Sequence, residues 1–195
     1  MSSIDFSSIT GLEAAALSER ARALLRGGAP VPEGDDVGAT QILLWTLLAM
    51  SVARLRRFAD HVGMLGVGTA LRQVLDGRRI AAFREQLGHE LYHFGMLKAP
   101  LIGTLSLKPA ACGEPERACL VVREAGLAAL QAFCVGPDAQ HLHLRARLSA
   151  RLQEIAPDSP SRFFVDPPSC ALLQRVLREV EPVLATAFEG LGATS

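Results

Sequence analysis

One pentapeptide in the chain has residue types and spacing suited to chemistry: His89-Glu90-Leu91-Tyr92-His93. It fits the H-E-x-x-H pattern of zinc peptidases. Two histidines four residues apart on a helix share a face and can reach one metal ion. The glutamate between them can take a proton from the metal-bound water. Such a centre needs a third protein ligand. The extended pattern would place Gly at position 96 and His at position 99, where this chain has Met96 and Ala99. A downstream glutamate would have to be Glu114, Glu116 or Glu124, and nothing in their local pattern singles one out.

The element carrying the motif argues against a metal centre. Ile80, Phe83, Leu87, Leu91 and Phe94 recur at spacings of three and four, which predicts a helix from about Arg78 to Leu97 with one core-facing stripe. At about 100° per residue, His89 and His93 lie opposite Ile80, Leu87 and Leu91, near Glu85 on the solvent face. Zinc peptidases of this type also hold their substrate along a sheet edge, and strand signals are few here. The pattern arises from composition alone on the order of once in a hundred such chains. The expected outcome is two exposed histidines, no catalytic residue, no metal and no cofactor.

The other histidines converge less. His141 shares a face with Leu144 and Leu148 if that segment is helical, His143 points elsewhere, and His61 is isolated in sequence. Gly63-Met-Leu-Gly-Val-Gly68 has neither a preceding strand nor a following Lys-Ser/Thr pair, so it is no phosphate cradle. Arg54, Arg56 and Arg57, with Arg78 and Arg79, form local basic clusters, read as solvated helix ends or as docking points for an acidic partner.

Around these residues, 195 positions with 49% hydrophobic and 21% charged side chains make a compact chain with a large core. Twenty basic and 20 acidic residues give zero formal net charge. That excludes the disordered class and removes the basic excess expected of a nucleic-acid binder. A neutral chain of mean hydropathy +0.24 is unusual for a free monomer and suits one that works against a partner. Cys112, Cys119, Cys134 and Cys170 lack metal-knuckle spacing and are expected to be free thiols. Met1 to Gly11 lacks the basic and apolar regions of a signal peptide.

The chain reads as mostly α, six or seven helices in one domain over residues 1–195. Residues 1–36 form an N-terminal helix (about Gly11 to Arg26) and a linker, 37–97 a helical core, and 98–195 a C-terminal helical part. The uncharged segment Val37 to Ala53 raises the question of a membrane span and is expected to be a buried helix, ending in the basic run Arg54 to Arg57. Gly63, Gly66 and Gly68 predict a bend or a close helix contact. Pro115 opens a helix to about Val135. Leu142 to Ile155 reads as helix, and Pro182 kinks a last helix running from Leu173 to Leu191. Alternation leaves a small β element open at residues 101–107 and 142–148.

Three segments together resemble a known family: Ala53-Arg-Leu-Arg-Arg-Phe-Ala-Asp-His-Val-Gly63, Leu71-Arg-Gln-Val-Leu-Asp-Gly77, and Phe83-Arg-Glu-Gln-Leu-Gly-His-Glu-Leu-Tyr-His-Phe94. The arginine- and leucine-rich helix, the glycine-marked turn and the pattern Leu87-Gly88 followed by Phe94 are similar to the K component of type III secretion systems, SctK (the YscK/PscK family). Phe83 stands where the family has Leu, and the family's helix usually has no histidine pair at 89 and 93. Ala125-Gly126-Leu127 and Leu142 to Leu148 give a fainter echo. The resemblance implies a helical, cytoplasmic, non-enzymatic adaptor of the sorting platform, peripheral at the inner membrane. Its implied partners are the cytoplasmic domain of the inner-membrane ring protein and the pod of C-ring-like component and ATPase stator, with no cofactor, nucleic acid or membrane span. Outside the resemblance, the residues leave open a zinc peptidase using His89, Glu90 and His93, or an unrelated helical interaction module.

Overall fold

Two glycines set the geometry of the core. In the computed structural model, which describes residues 35–108, 114–135, 141–156 and 163–186, helix α2 (Val52–Leu71) and helix α5 (Ala118–Val135) make the widest helix contact among the described residues. They touch backbone to backbone. A Cβ on Gly63 would lie 1.9 Å from the Val122 carbonyl oxygen, and one on Gly126 would lie 1.8 Å from that of Ala59. The glycines therefore mark a close helix contact, and α2 runs through Gly63, Gly66 and Gly68 without interruption. Phe58, Val62 and Leu65 from α2 and Val122, Ala125 and Leu130 from α5 are buried around this crossing.

The apolar segment that opens the described chain is two elements. Helix α1 (Asp35–Ala49) is buried nearly all round from Gln41 onward, as a helix without a polar face must be. It packs against α6 (Leu142–Ile155) and α7 (Cys170–Val180). It stops before Ser51, whose side chain accepts the Arg54 amide and caps α2. The expected single helix through Ala53 is thus wrong, and so is the placement of Arg54 to Arg57 at a helix C-terminus. These arginines occupy the first turns of α2, where the helix dipole opposes them. The carbonyls at the end of α1 are met instead by Arg151 of α6, which donates to Leu48 O and, at 2.7 Å, to Met50 O.

After α2, Asp76 caps helix α3 (Gly77–His93), whose Phe83 and Leu87 are buried as the periodicity predicts. A π-helical turn (Phe94–Lys98) and a short helix α4 (Ala99–Ile102) follow. Leu142 to Leu148 is helical. The β element is one antiparallel pair, β1 (Leu107–Lys108) with β2 (Phe164–Val165), so of the two alternating segments only the end of the first contributes a strand residue. Pro115 opens a 3-10 turn (Pro115–Arg117) that leads into α5. The last helix does not kink through Pro182. It ends at Val180, Glu181 breaks it at φ −136°, ψ 62°, and residues 182–186 begin a new helical stretch with Pro182 first. The described residues thus form a mostly helical domain around one core. The expected helix over Gly11 to Arg26, Cys112, and the end of the last helix lie outside the described residues.

Among the described residues, the helix with both the length and the hydropathy to cross a membrane is Pro115–Val135, with mean hydropathy 1.6, and not the segment Val37 to Ala53 that raised the question. It is 61% buried and contacts α2 on its glycine side, as a core helix does.

The glycine crossing predicts that Gly126→Ala destabilises the fold by about 1–3 kcal/mol or more, since backbone atoms cannot step aside for the new methyl group. Urea unfolding of the variant against the parent, with Gly38→Ala as an unobstructed control, measures it. Equal losses in the two variants would refute a steric origin.

Candidate functional site

The second half of α3 does not continue the first. Gly88 has φ 75° and ψ 161°, a conformation open to glycine and strained for other residues, and the helix axis breaks there. Uniform helical arithmetic across Leu87 to His93 therefore fails, although His89 and His93 are exposed as expected. Their rings stack, with centroids 5.7 Å apart and planes 18° from parallel. Glu114 and Glu116 are exposed and Glu124 is buried in α5. Among the described residues no group of three His, Cys, Asp or Glu side chains converges as a metal site.

Glu90 faces a different set of residues. Its Oε1 accepts a hydrogen bond from Arg57 Nη2 at 2.5 Å and lies 3.7 Å from His61 Nε2. Arg57 also donates through Nη1 to Glu181 Oε1 at 3.3 Å. One guanidinium thus bridges α2, α3 and the break after α7, using the planar fork that lysine lacks. The two carboxylates differ sharply: the Glu90 side chain is 64% exposed, that of Glu181 only 8%. Burial raises the Glu181 pKa above its ordinary 4.5, against the opposing pull of Arg54 and Arg57.

His61, expected to be isolated, sits at the centre of this cluster. It is buried, its ring meets Phe94 edge-on at 4.7 Å, and its Nδ1 lies 2.8 Å from the Arg57 carbonyl oxygen. A carbonyl only accepts, so Nδ1 carries the proton and the neutral ring turns a lone pair toward Glu90. Burial lowers the His61 pKa from 6.5, and the Arg57 carbonyl and the Glu90 charge oppose that fall.

Other cross-links are polar and structural. Arg123 of α5 holds Asp60 of α2 through two bonds of 3.0 and 2.8 Å. Arg72 donates to the Gly95 carbonyl of the π turn at 3.0 Å. Cys119, Cys134 and Cys170 are free thiols. Burial pushes Cys134 up to about 11 and raises Cys119, which keeps both protonated and poorly nucleophilic near neutrality.

A separate surface feature lies where α4 meets α7. A cleft of about 270 Å³ is lined by Lys98, Leu101, Ile102, Arg175, Arg178 and Glu179. Lys98 Nζ and Glu179 Oε2 pair at 3.1 Å, and Arg175 donates to the Ile102 carbonyl at 3.3 Å. None of the Arg57 cluster lines this cleft. Within the Arg57 cluster, the sequence pattern singles out Arg57 and Glu90 and leaves His61 isolated. His61, Glu181 and the cleft are placed by tertiary contact, and Pro182 reads in the sequence only as a kink within one helix.

Comparison of the chain with protein-family models, with curated proteins and with solved structures finds no match.

The cluster generates two predictions. Arg57→Ala removes the hydrogen bond to the buried Glu181, leaving the Arg54 charge to act on it, and should cost about 1–3 kcal/mol, whereas Glu90→Gln removes a largely exposed pair and should cost less than about 1 kcal/mol. Thermal and urea unfolding of the two variants give the order. The second concerns pH. Below pH 6.5 the unfolded chain takes up the His61 proton that the folded chain resists, so this contribution to stability is lost as pH falls from 6.5 toward the lowered folded value. Glu181 acts oppositely, because the folded chain keeps above pH 4.5 a proton that the unfolded chain gives up. The stability difference between the parent and His61→Gln should therefore shrink between pH 7.5 and 5.5. A constant difference would mean that His61 titrates alike in both states.

Proposed function

We propose that the chain is a non-enzymatic adaptor of a type III secretion sorting platform, similar to SctK, that links the inner-membrane ring to the C-ring-like pod at the cytoplasmic face. The observation that carries this reading is the structural work done by the pattern Leu87-Gly88 with Phe94. Leu87 and Phe94 are buried anchors on either side of a glycine at φ 75°. A left-handed residue between two anchors redirects the helix, and only glycine does this without strain. The residues that carry the resemblance are thus those that specify the bent element.

Two further observations support an adaptor over a peptidase. The Glu90 carboxylate, which peptidase chemistry would need beside a metal-bound water, is engaged by Arg57. Exposed leucines also stand beside charged residues, as Leu101 does in the α4–α7 cleft, which suits a protein that works by contact.

Affinity purification of the chain from its own cells, under secretion-inducing conditions, tests the reading. The cytoplasmic domain of the ring protein and the pod component should co-purify in fixed ratio, and Glu90→Gln should leave secretion intact. Stoichiometric zinc in the purified chain, lost on His89→Ala, would overturn the reading in favour of a metallopeptidase.

A further inference from the structure

The histidine pair of α3 is left unused by the cluster beside it. His89 and His93 stand on the single helical turn between Gly88, at φ 75°, and the π turn. That turn is held from both ends and from within. Leu87 and Phe94 are buried before and after it, and Arg57 grips Glu90 at 2.5 Å. Its rotation is thereby fixed, with Glu90 toward α2 and both histidines in water. Among the described residues neither ring is engaged in a hydrogen bond or an ion pair. Each ring meets the other, with centroids 5.7 Å apart and planes 18° from parallel.

We infer that His89 and His93 form a two-nitrogen chelate for a divalent transition-metal ion of the copper, nickel or zinc type, with water completing the coordination shell. Side chains at i and i+4 of a helical turn lie about 5–6 Å apart at Cβ and point the same way. A metal with both imidazole nitrogens at about 2.0–2.1 Å holds them about 3 Å apart. Two exposed, near-parallel rings with centroids at 5.7 Å reach that by rotation about their own side-chain bonds. The backbone turn is already anchored, so closing the chelate orders only those bonds. The donor set selects the ion. Imidazole suits copper, nickel and zinc, whereas calcium and magnesium want oxygen ligands that the pair lacks. Copper(II) stands highest in the divalent order. The pair is distinct from a peptidase centre, which takes three protein ligands and a carboxylate free to act as base; here Glu90 is bonded to Arg57. A two-ligand site binds added metal without holding zinc through purification. The inference is independent of the adaptor reading.

Isothermal titration of the untagged full chain with Cu²⁺, Ni²⁺ and Zn²⁺, paired with electron paramagnetic resonance of the copper form, tests it. One Cu²⁺ should bind per chain, more tightly than Ni²⁺ or Zn²⁺, with nitrogen hyperfine structure from two imidazoles. Mg²⁺ should not compete. Affinity for Cu²⁺ should fall by at least about tenfold on His89→Ala and likewise on His93→Ala, both exposed positions, with unchanged circular dichroism. His89→Gln keeps a polar side chain at the position and should behave as His89→Ala. His143→Ala alters another exposed histidine and should leave the affinity at the parent's value. No saturable binding, a copper spectrum with a single nitrogen, or an affinity indifferent to His89→Ala or His93→Ala would overturn the inference. So would zinc retained in stoichiometric amount through purification and lost on His89→Ala, which requires a third protein ligand and takes the adaptor reading down as well. The two otherwise fail separately. If no chelate forms and the secretion partners co-purify, the adaptor stands alone; if Cu²⁺ binds as described and no secretion partner co-purifies, the chelate does.

Discussion

The contact of α2 with α5 at Gly63 and Gly126 is made backbone to backbone, and the other described elements are placed by it. Where two helices touch through their backbones, there is no side chain to absorb a change in spacing. The contact also fixes rotation, since each glycine must face a carbonyl of the partner helix. With α2 held in this way, its other sides are assigned: the π turn packs along one, α7 along another, and Asp60 meets Arg123 beside the crossing. The π turn is held by the same logic, because Gly95 lies against Met64 and gives its carbonyl to Arg72.

Arginine does much of the remaining work. Arg151 caps the end of α1, Arg145 donates to the Phe133 carbonyl near the end of α5, and Arg72 takes the π-turn carbonyl. Each of these carbonyls belongs to a helix end or a widened turn whose regular partner is missing. A weakly hydrated, planar cation with several donors satisfies such oxygens at lower desolvation cost than an ammonium group. Arg57 extends the device to carboxylates. It sits near the start of α2, where the dipole is unfavourable for a cation, and the two glutamates that it bridges offset that cost.

Local signals made much of the fold legible. Phe83 and Leu87 in the first part of the stripe, Pro115 at a helix start and the helical Leu142 to Ile155 follow from short-range rules, and the structure agrees with them. The failures came where two rules competed. Ser51 is a good N-cap, but apolar residues on both sides hid it, so two helices read as one and Arg54 to Arg57 were assigned to the wrong end. Gly88 read as a residue within a continuous helix, yet it takes a positive φ and splits the H-E-x-x-H neighbourhood from the stripe before it. The candidate site was the least legible part. His61 lies 29 positions before Glu90, and Glu181 lies 91 after it; no spacing rule links them, because the crossing of α2 with its neighbours brings them together.

These features bear on how a neutral chain can be selective. Without net charge, long-range steering contributes little, and discrimination must come from groups in contact. The fold separates its charges accordingly. Arg57, Asp60 and Arg123 are spent on internal bridges, and Arg72 and Arg151 on backbone carbonyls. At the α4–α7 cleft, Lys98 pairs with Glu179 and Arg175 donates to the Ile102 carbonyl. Lys98 is close to neutralised by Glu179, so what distinguishes that surface is the fixed direction of Arg175, not the total charge. A donor fixed in direction discriminates by where a group meets it, which net charge alone cannot do.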